Sequence, residues 1–151
     1  MLTGVHVEAS GNDRAYGMGH VVCAIDLGPN SRRVLGWAGR FANEFGSRLS
    51  VVYISHVLDS SLGDEFDPRW QLDLTLQARK KIEQCQNDTG VKAEILMDGG
   101  NDVPKAVCSA AASLKADLIV IGRSVEGRFL GRLRNNSYAI IRQSPCPVIS
   151  I

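Results

Sequence analysis

Apolar and polar positions fall into blocks along most of this chain, and the period of the blocks switches in a regular order. His20 to Asp26 (HVVCAID) is a short apolar, β-branched run, the pattern of a strand covered on both faces. Val34, Leu35, Ala38, Phe41, Ala42 and Phe45 then recur at helical spacing; Asn30 or Ser31 can cap this helix and Gly46 stops it. Leu49 to Ile54 (LSVVYI) reads as a second strand, and Ser55 to Pro68 as a polar, acidic loop. A second helix follows with Trp70, Leu74, Ala78, Ile82 and Cys85 on one face and Gly90 beyond its end. Val91 to Met97 alternates more than the other strands, which places it nearer a sheet edge. After the Gly99-Gly100 turn, Asn101 or Asp102 caps a third helix with Pro104 in its first turn and Val107, Ala110, Ala111 and Leu114 inward. Asp117 to Ile121 (DLIVI) is a continuous apolar strand. A loop rich in glycine and arginine spans Gly122 to Asn136, and a short helix runs through Ile140 and Ile141 to Gln143. Ser144-Pro145-Cys146-Pro147 breaks it before a last strand, Val148 to Ile151.

Five strands alternating with four helices predict an α/β fold, a parallel sheet wound right-handedly with helices on both faces. Ligands in such sheets collect outside the C-terminal ends of the strands, where the winding reverses. The loops after Asp26, Ile54, Met97 and Ile121 are therefore the ones to search. Residues 1–19 hold four glycines and little periodicity, so they read as a tail or linker ahead of a domain over residues 20–151.

Composition narrows the function classes. A chain of 151 residues with 44% apolar and 22% charged residues can bury a real core, and its net charge of +1 gives no reason to expect nucleic acid or an anionic membrane as partner. Apolar runs are far shorter than a membrane span, and the N-terminus lacks the layout of a signal peptide, so a cytoplasmic protein is expected. Cys23, Cys85, Cys108 and Cys146 are widely separated and form no CxxC pair, which leaves zinc and redox sites without support; Cys23 and Cys108 read as small core residues. His6, His20 and His56 are scattered, with no nucleophile or orienting carboxylate placed nearby, so structural roles outweigh catalytic ones.

Two loops carry candidate chemistry. Between Gly122 and Arg142 lie Arg123, Arg128, Arg132, Arg134 and Arg142 against Glu126 alone, and Gly122, Gly127 and Gly131 let the backbone turn tightly and approach a ligand. Asn135, Asn136 and Ser137 are expected at the start of the following helix, where free N–H groups and the dipole favour an anion. Together these features suit a phosphate; the competing reading is that an asparagine caps the helix and the arginines form a solvated or intersubunit face. Asp26, directly before Leu27-Gly28-Pro29-Asn30, offers a carboxylate for a ribose or an adenine, or else caps the turn into the first helix.

The segments AIDLGPNS, FGSRLSVVYI, ADLIVIG and SPCPVISI resemble the universal stress protein family over about residues 20–151; ADLIVIG and SPCPV at their spacing are specific as a pair. The resemblance implies a Rossmann-like sheet of the adenine nucleotide alpha hydrolase-like type, a three-layer α/β/α sandwich with strand order 3-2-1-4-5. It implies frequent homodimers or tandem domains, so this chain is expected to be, or to descend from, the second half of a tandem. Many members bind ATP through a motif G-x2-G-x9-G-[ST] after the fourth strand. Laid on this chain, the motif keeps Gly122, but Val125, Asn135 and Asn136 stand at its other positions, with Ser137 adjacent to the last. Asp26 matches the family's first-strand carboxylate, and Ile54 and Ile121 fall where the family lines the adenine pocket.

The expected function is a non-catalytic stress-response or regulatory domain with weak or absent ATP binding. The alternative is a true ATP-binding domain, with slow ATPase activity as one form of it, in which the arginines and Gly127 replace the missing glycines. ATP or AMP is the expected ligand, with magnesium only as the nucleotide brings it. A nucleotidyl-transfer or electron-transfer enzyme is disfavoured, because no PP-loop-like or HxGH-type motif is present. Homodimerisation is expected through the last strand, where Val148, Ile149 and Ile151 form an apolar edge with no lysine or internal proline to blunt it.

Overall fold

The computed structural model describes residues 18–55, 67–123 and 131–151, with side chains from residue 136 onward in the last segment. In chain order the elements are β1 (His20–Ala24), α1 (Ser31–Phe45), β2 (Arg48–Ser55), α2 (Pro68–Thr89), β3 (Glu94–Gly99), α3 (Val103–Ser113), β4 (Leu118–Ile121), α4 (Gly131–Gln143) and β5 (Val148–Ser150). The strands pair in parallel in the order β3-β2-β1-β4-β5. Alternate strand residues feed the two faces. Val21, Cys23, Val51, Leu118 and Val120 pack with Val34, Leu35 and Ala38 of α1 and Ile82 and Cys85 of α2. On the other face, Ile119 and Ile121 pack with Val107, Cys108 and Ala111 of α3 and Ile140 of α4, which completes the α/β/α sandwich.

Local signals explain most element boundaries. Gly46 and Gly90 adopt left-handed conformations, at φ 63° and 67°, and each closes its helix with the paired 6→1 and 5→2 bonds of a Schellman motif. The Asp67 carboxylate caps α2 by accepting from the Arg69 N–H, and Asp102, rather than Asn101, caps α3 through the Lys105 N–H at 3.1 Å. His20 is buried and structural. One ring nitrogen lies 2.8 Å from the Ser50 hydroxyl and the other 3.0 Å from the Leu114 carbonyl, pinning β1 to β2 and to the end of α3.

Three boundaries depart from the sequence expectation. β1 ends at Ala24, with the Ile25 N–H making one further bond to the Val52 carbonyl, so Asp26 stands beyond the strand. β3 starts at Glu94 instead of Val91, because the Val91 N–H is committed to the Gln86 carbonyl at the end of α2. α4 starts at Gly131, and Asn135, Asn136 and Ser137 fall in its second turn. Trp70 also departs from the inward face predicted for α2 and is 45% exposed. At 22 residues α2 is roughly 33 Å long, whereas β2 with eight residues spans roughly 26 Å. α2 is therefore longer than β2 by roughly 7 Å, and its buried residues, Ile82 and Cys85, both lie in its second half. Among the described residues no helix is long and apolar enough to cross a membrane.

Candidate functional site

The sheet reverses its winding between β1 and β4, and the loops leaving these two strands meet there. Asp26 turns the chain from β1 into α1. Its exposed carboxylate accepts from the Gly28 N–H at 2.8 Å and, through the same oxygen, from the Ser31 hydroxyl at 3.4 Å. A Cβ on residue 28 would stand 2.9 Å from that oxygen, so a side chain there would displace the Asp26 carboxylate. Leu27 between them takes a left-handed φ of 60°, which costs a non-glycine residue on the order of 1–2 kcal/mol and directs its side chain onto the α1/α2 core.

Asn30 bridges the two loops. It occupies the N-cap position of α1 without a side-chain cap bond, and its amide Nδ2 donates instead to the Arg123 carbonyl at 3.3 Å. Gly122 is packed tightly, since a Cβ there would meet Val34 Cγ2 at 3.0 Å. The Ser137 hydroxyl donates to the Gly122 carbonyl at 3.5 Å, tying α4 back to the end of β4. Arg123 is exposed, but its N–H donates to the Ile151 carbonyl at 2.7 Å and so extends the β4–β5 ladder.

Asp26, Gly122, Arg123 and Ser137 thus come together around the reversal point, with Asn136 beside Ser137. The expectation that residues 135–137 offer free helix-start amides is corrected: in the second turn of α4 those N–H groups bond to carbonyls four residues earlier. Gly127 and Val125 lie outside the described residues, as does the side chain of Asn135. Ile54 is half-buried at the end of β2. Ile121 is 3% exposed and closed in by α3 and α4, so it presents little surface to a ligand.

Sequence reading missed a cavity on the opposite face of the sheet. It holds about 170 Å³ between α2 and the sheet, lined among others by Leu27, Tyr53, Met97, Leu74, Ala78 and Lys81. The alternation in β2 does place Tyr53 on the face opposite Ile54. Nothing in the sequence shows that α2 leaves space above it.

The thiols are poor candidates for chemistry. Burial, with a smaller contribution from neighbouring Cys85, pushes Cys23 up to about 12, and burial likewise raises Cys85, Cys108 and Cys146. A thiol held protonated is not a nucleophile. Among the described residues no group of three His, Cys, Asp or Glu side chains could hold a metal ion.

A model of the universal stress protein family matches residues 18–151, which takes in every element of the sheet and all of the site. The chain belongs to the universal stress protein family. A universal stress protein of Thermus aquaticus is 29% identical over 137 residues, covering 87% of this chain and 96% of the relative. Universal stress protein A homolog 1 of Coxiella burnetii is 26% identical over 136 residues, with 87% and 94% covered. Among solved structures, the universal stress protein of Archaeoglobus fulgidus in complex with dAMP superposes with a TM-score of 0.64 at 21% identity, covering 89% of this chain and 97% of that one. That likeness bears on the fold.

Proposed function

We propose that this universal stress protein domain is a non-catalytic regulatory domain of the stress response. In this reading its reversal-point cleft receives an adenine nucleotide between Asp26 and Arg123 and holds ATP weakly. The observation that carries the weak-ATP reading is the commitment of backbone donors on the phosphate side. The Arg123 N–H is spent on Ile151, and the amides of residues 135–137 are spent within α4. What remains for an anion among the described groups is the first-turn N–H groups of α4, the side-chain charge at Arg123 and the side-chain amide of Asn136. The adenine part rests on the exposed Asp26 carboxylate at the reversal and on the dAMP complex of the Archaeoglobus relative.

Each backbone–phosphate bond forgone costs on the order of 1–2 kcal/mol, about tenfold in affinity. Calorimetric titration with adenosine, AMP and ATP tests the proposal, with ATP binding expected no tighter than tens of micromolar. Arg123→Ala is expected to lower nucleotide and sulfate affinity and to flatten the salt dependence of binding. Submicromolar ATP affinity, or ATP turnover by the purified protein, would overturn it in favour of the ATP-binding alternative.

A further inference from the structure

α2 carries an exposed stripe that neither the sheet nor the cleft uses. Its buried residues, Ile82 and Cys85, define the inward side of the helix. At about 100° per residue, Arg69, Leu72, Leu76, Lys80 and Glu83 fall on the outward side, and all five are exposed. The outward side of a helix packed along one face is ordinarily polar. Here it holds two leucines one turn apart, 60% and 49% exposed. We propose that this stripe is a contact surface for a second copy of the chain, packed antiparallel on the same stripe about a twofold axis at Leu76.

The occupant follows from a symmetry in the sequence. Arg69, Leu72, Leu76, Lys80 and Glu83 are spaced by three, four, four and three residues, the same from either end. A twofold contact sets residue i of one copy against j of the other, and j against i. Centred on Leu76, it places Leu76 on Leu76, Arg69 opposite Glu83, and Leu72 under the methylene stem of Lys80. Asp73 comes level with Arg79 and Lys80, so both acids of the stripe face cations. A parallel pair would instead set each charge against itself, which is unfavourable. These charges have little else to bind. Among the described residues Arg69, Arg79, Lys80 and Glu83 form no ion pair within the chain, and Asp73 accepts from Gln77 Nε2 at 2.8 Å. One helix pair of this length buries less than the roughly 1,200 Å² at the low end of stable interfaces, so a reversible contact is expected, formed at tens to hundreds of micromolar.

The experiment is sedimentation across that concentration range, in the full chain carrying Ile149→Lys so that pairing of β5 edges does not contribute. The expected result is a monomer–dimer equilibrium that Leu76→Asp abolishes, with Tm within a few degrees because the position is exposed. Arg69→Glu alone and Glu83→Arg alone should each weaken association roughly tenfold or more, since each sets like charges face to face twice. Mixing these two single variants should restore it, because each then offers the other an opposite charge at both ends of the stripe. Arg69→Glu and Glu83→Arg combined in one chain should likewise self-associate as the parent does. A monomer throughout the range assigns the stripe to a partner of another sequence and overturns the proposal. Association indifferent to Leu76→Asp overturns it too, as does a mixture that associates no better than its components. Should Leu76→Asp fail to fold, the charge variants decide by themselves.

Discussion

Replacing Gly39 with alanine should destabilise the protein, while the same change three residues earlier, at Gly36, should stabilise it. Both glycines sit inside α1, where alanine is favoured over glycine by about 1 kcal/mol. A Cβ at position 36 meets only Thr89 Cγ2 at 3.8 Å, an ordinary contact, so most of that gain survives. A Cβ at position 39 would lie 2.4 Å from Val91 Cγ2 and 3.3 Å from Cγ1. Val91 has little freedom to retreat: it is β-branched, and its N–H is fixed to Gln86 by the cap of α2. Overpacking of this kind costs about 1–3 kcal/mol, which outweighs the helix gain and leaves a net loss of roughly 1 kcal/mol. For a chain of this length 1 kcal/mol moves Tm by about 2–4 °C. Thermal and urea unfolding of the two variants should therefore diverge, Gly36→Ala upward and Gly39→Ala downward. In a Val91→Ala background the penalty at position 39 should vanish, because the two closest atoms are gone. If Gly39→Ala stabilises the parent as much as Gly36→Ala does, the close approach of α1 to the end of α2 is wrong.

The buried thiol gives a pH signature. Cys23 has its folded pKa raised from 9.0 to about 12, so its contribution to stability is fully present below pH 9. It is lost at about 1.4 kcal/mol per pH unit as pH rises from 9 towards 12; Cys23→Ala should unfold with a shallower alkaline slope than the parent, and equal slopes would refute the assignment. Dimerisation through β5 is the remaining expectation, supported by its position at the end of the sheet. Ile149→Lys should yield a folded monomer in sedimentation at micromolar concentration, and a monomeric parent protein would end the idea.

The order and type of every element were legible in the sequence because they rest on local physics. Apolar, β-branched runs such as LSVVYI, helical spacing from Val34 to Phe45, and glycines after α1 and α2 act within a few residues of themselves. Asp26, Gly122 and Arg123 were legible for a related reason: a parallel sheet puts the ends of β1 and β4 side by side whatever its side chains do. The rest of the site depends on distances between segments remote in sequence. Asn30 has the right identity for a helix cap, yet it bonds to Arg123, 93 residues away. Ile121 matches a pocket-lining position, yet two helices from other parts of the chain seal it. The cavity gathers Tyr53 of β2, Met97 of β3 and Leu74 and Ala78 of α2 with Leu27, whose left-handed φ belongs to the turn after β1. Neither the space between α2 and the sheet nor a strained leucine leaves a mark in hydropathy. Tertiary packing decided both.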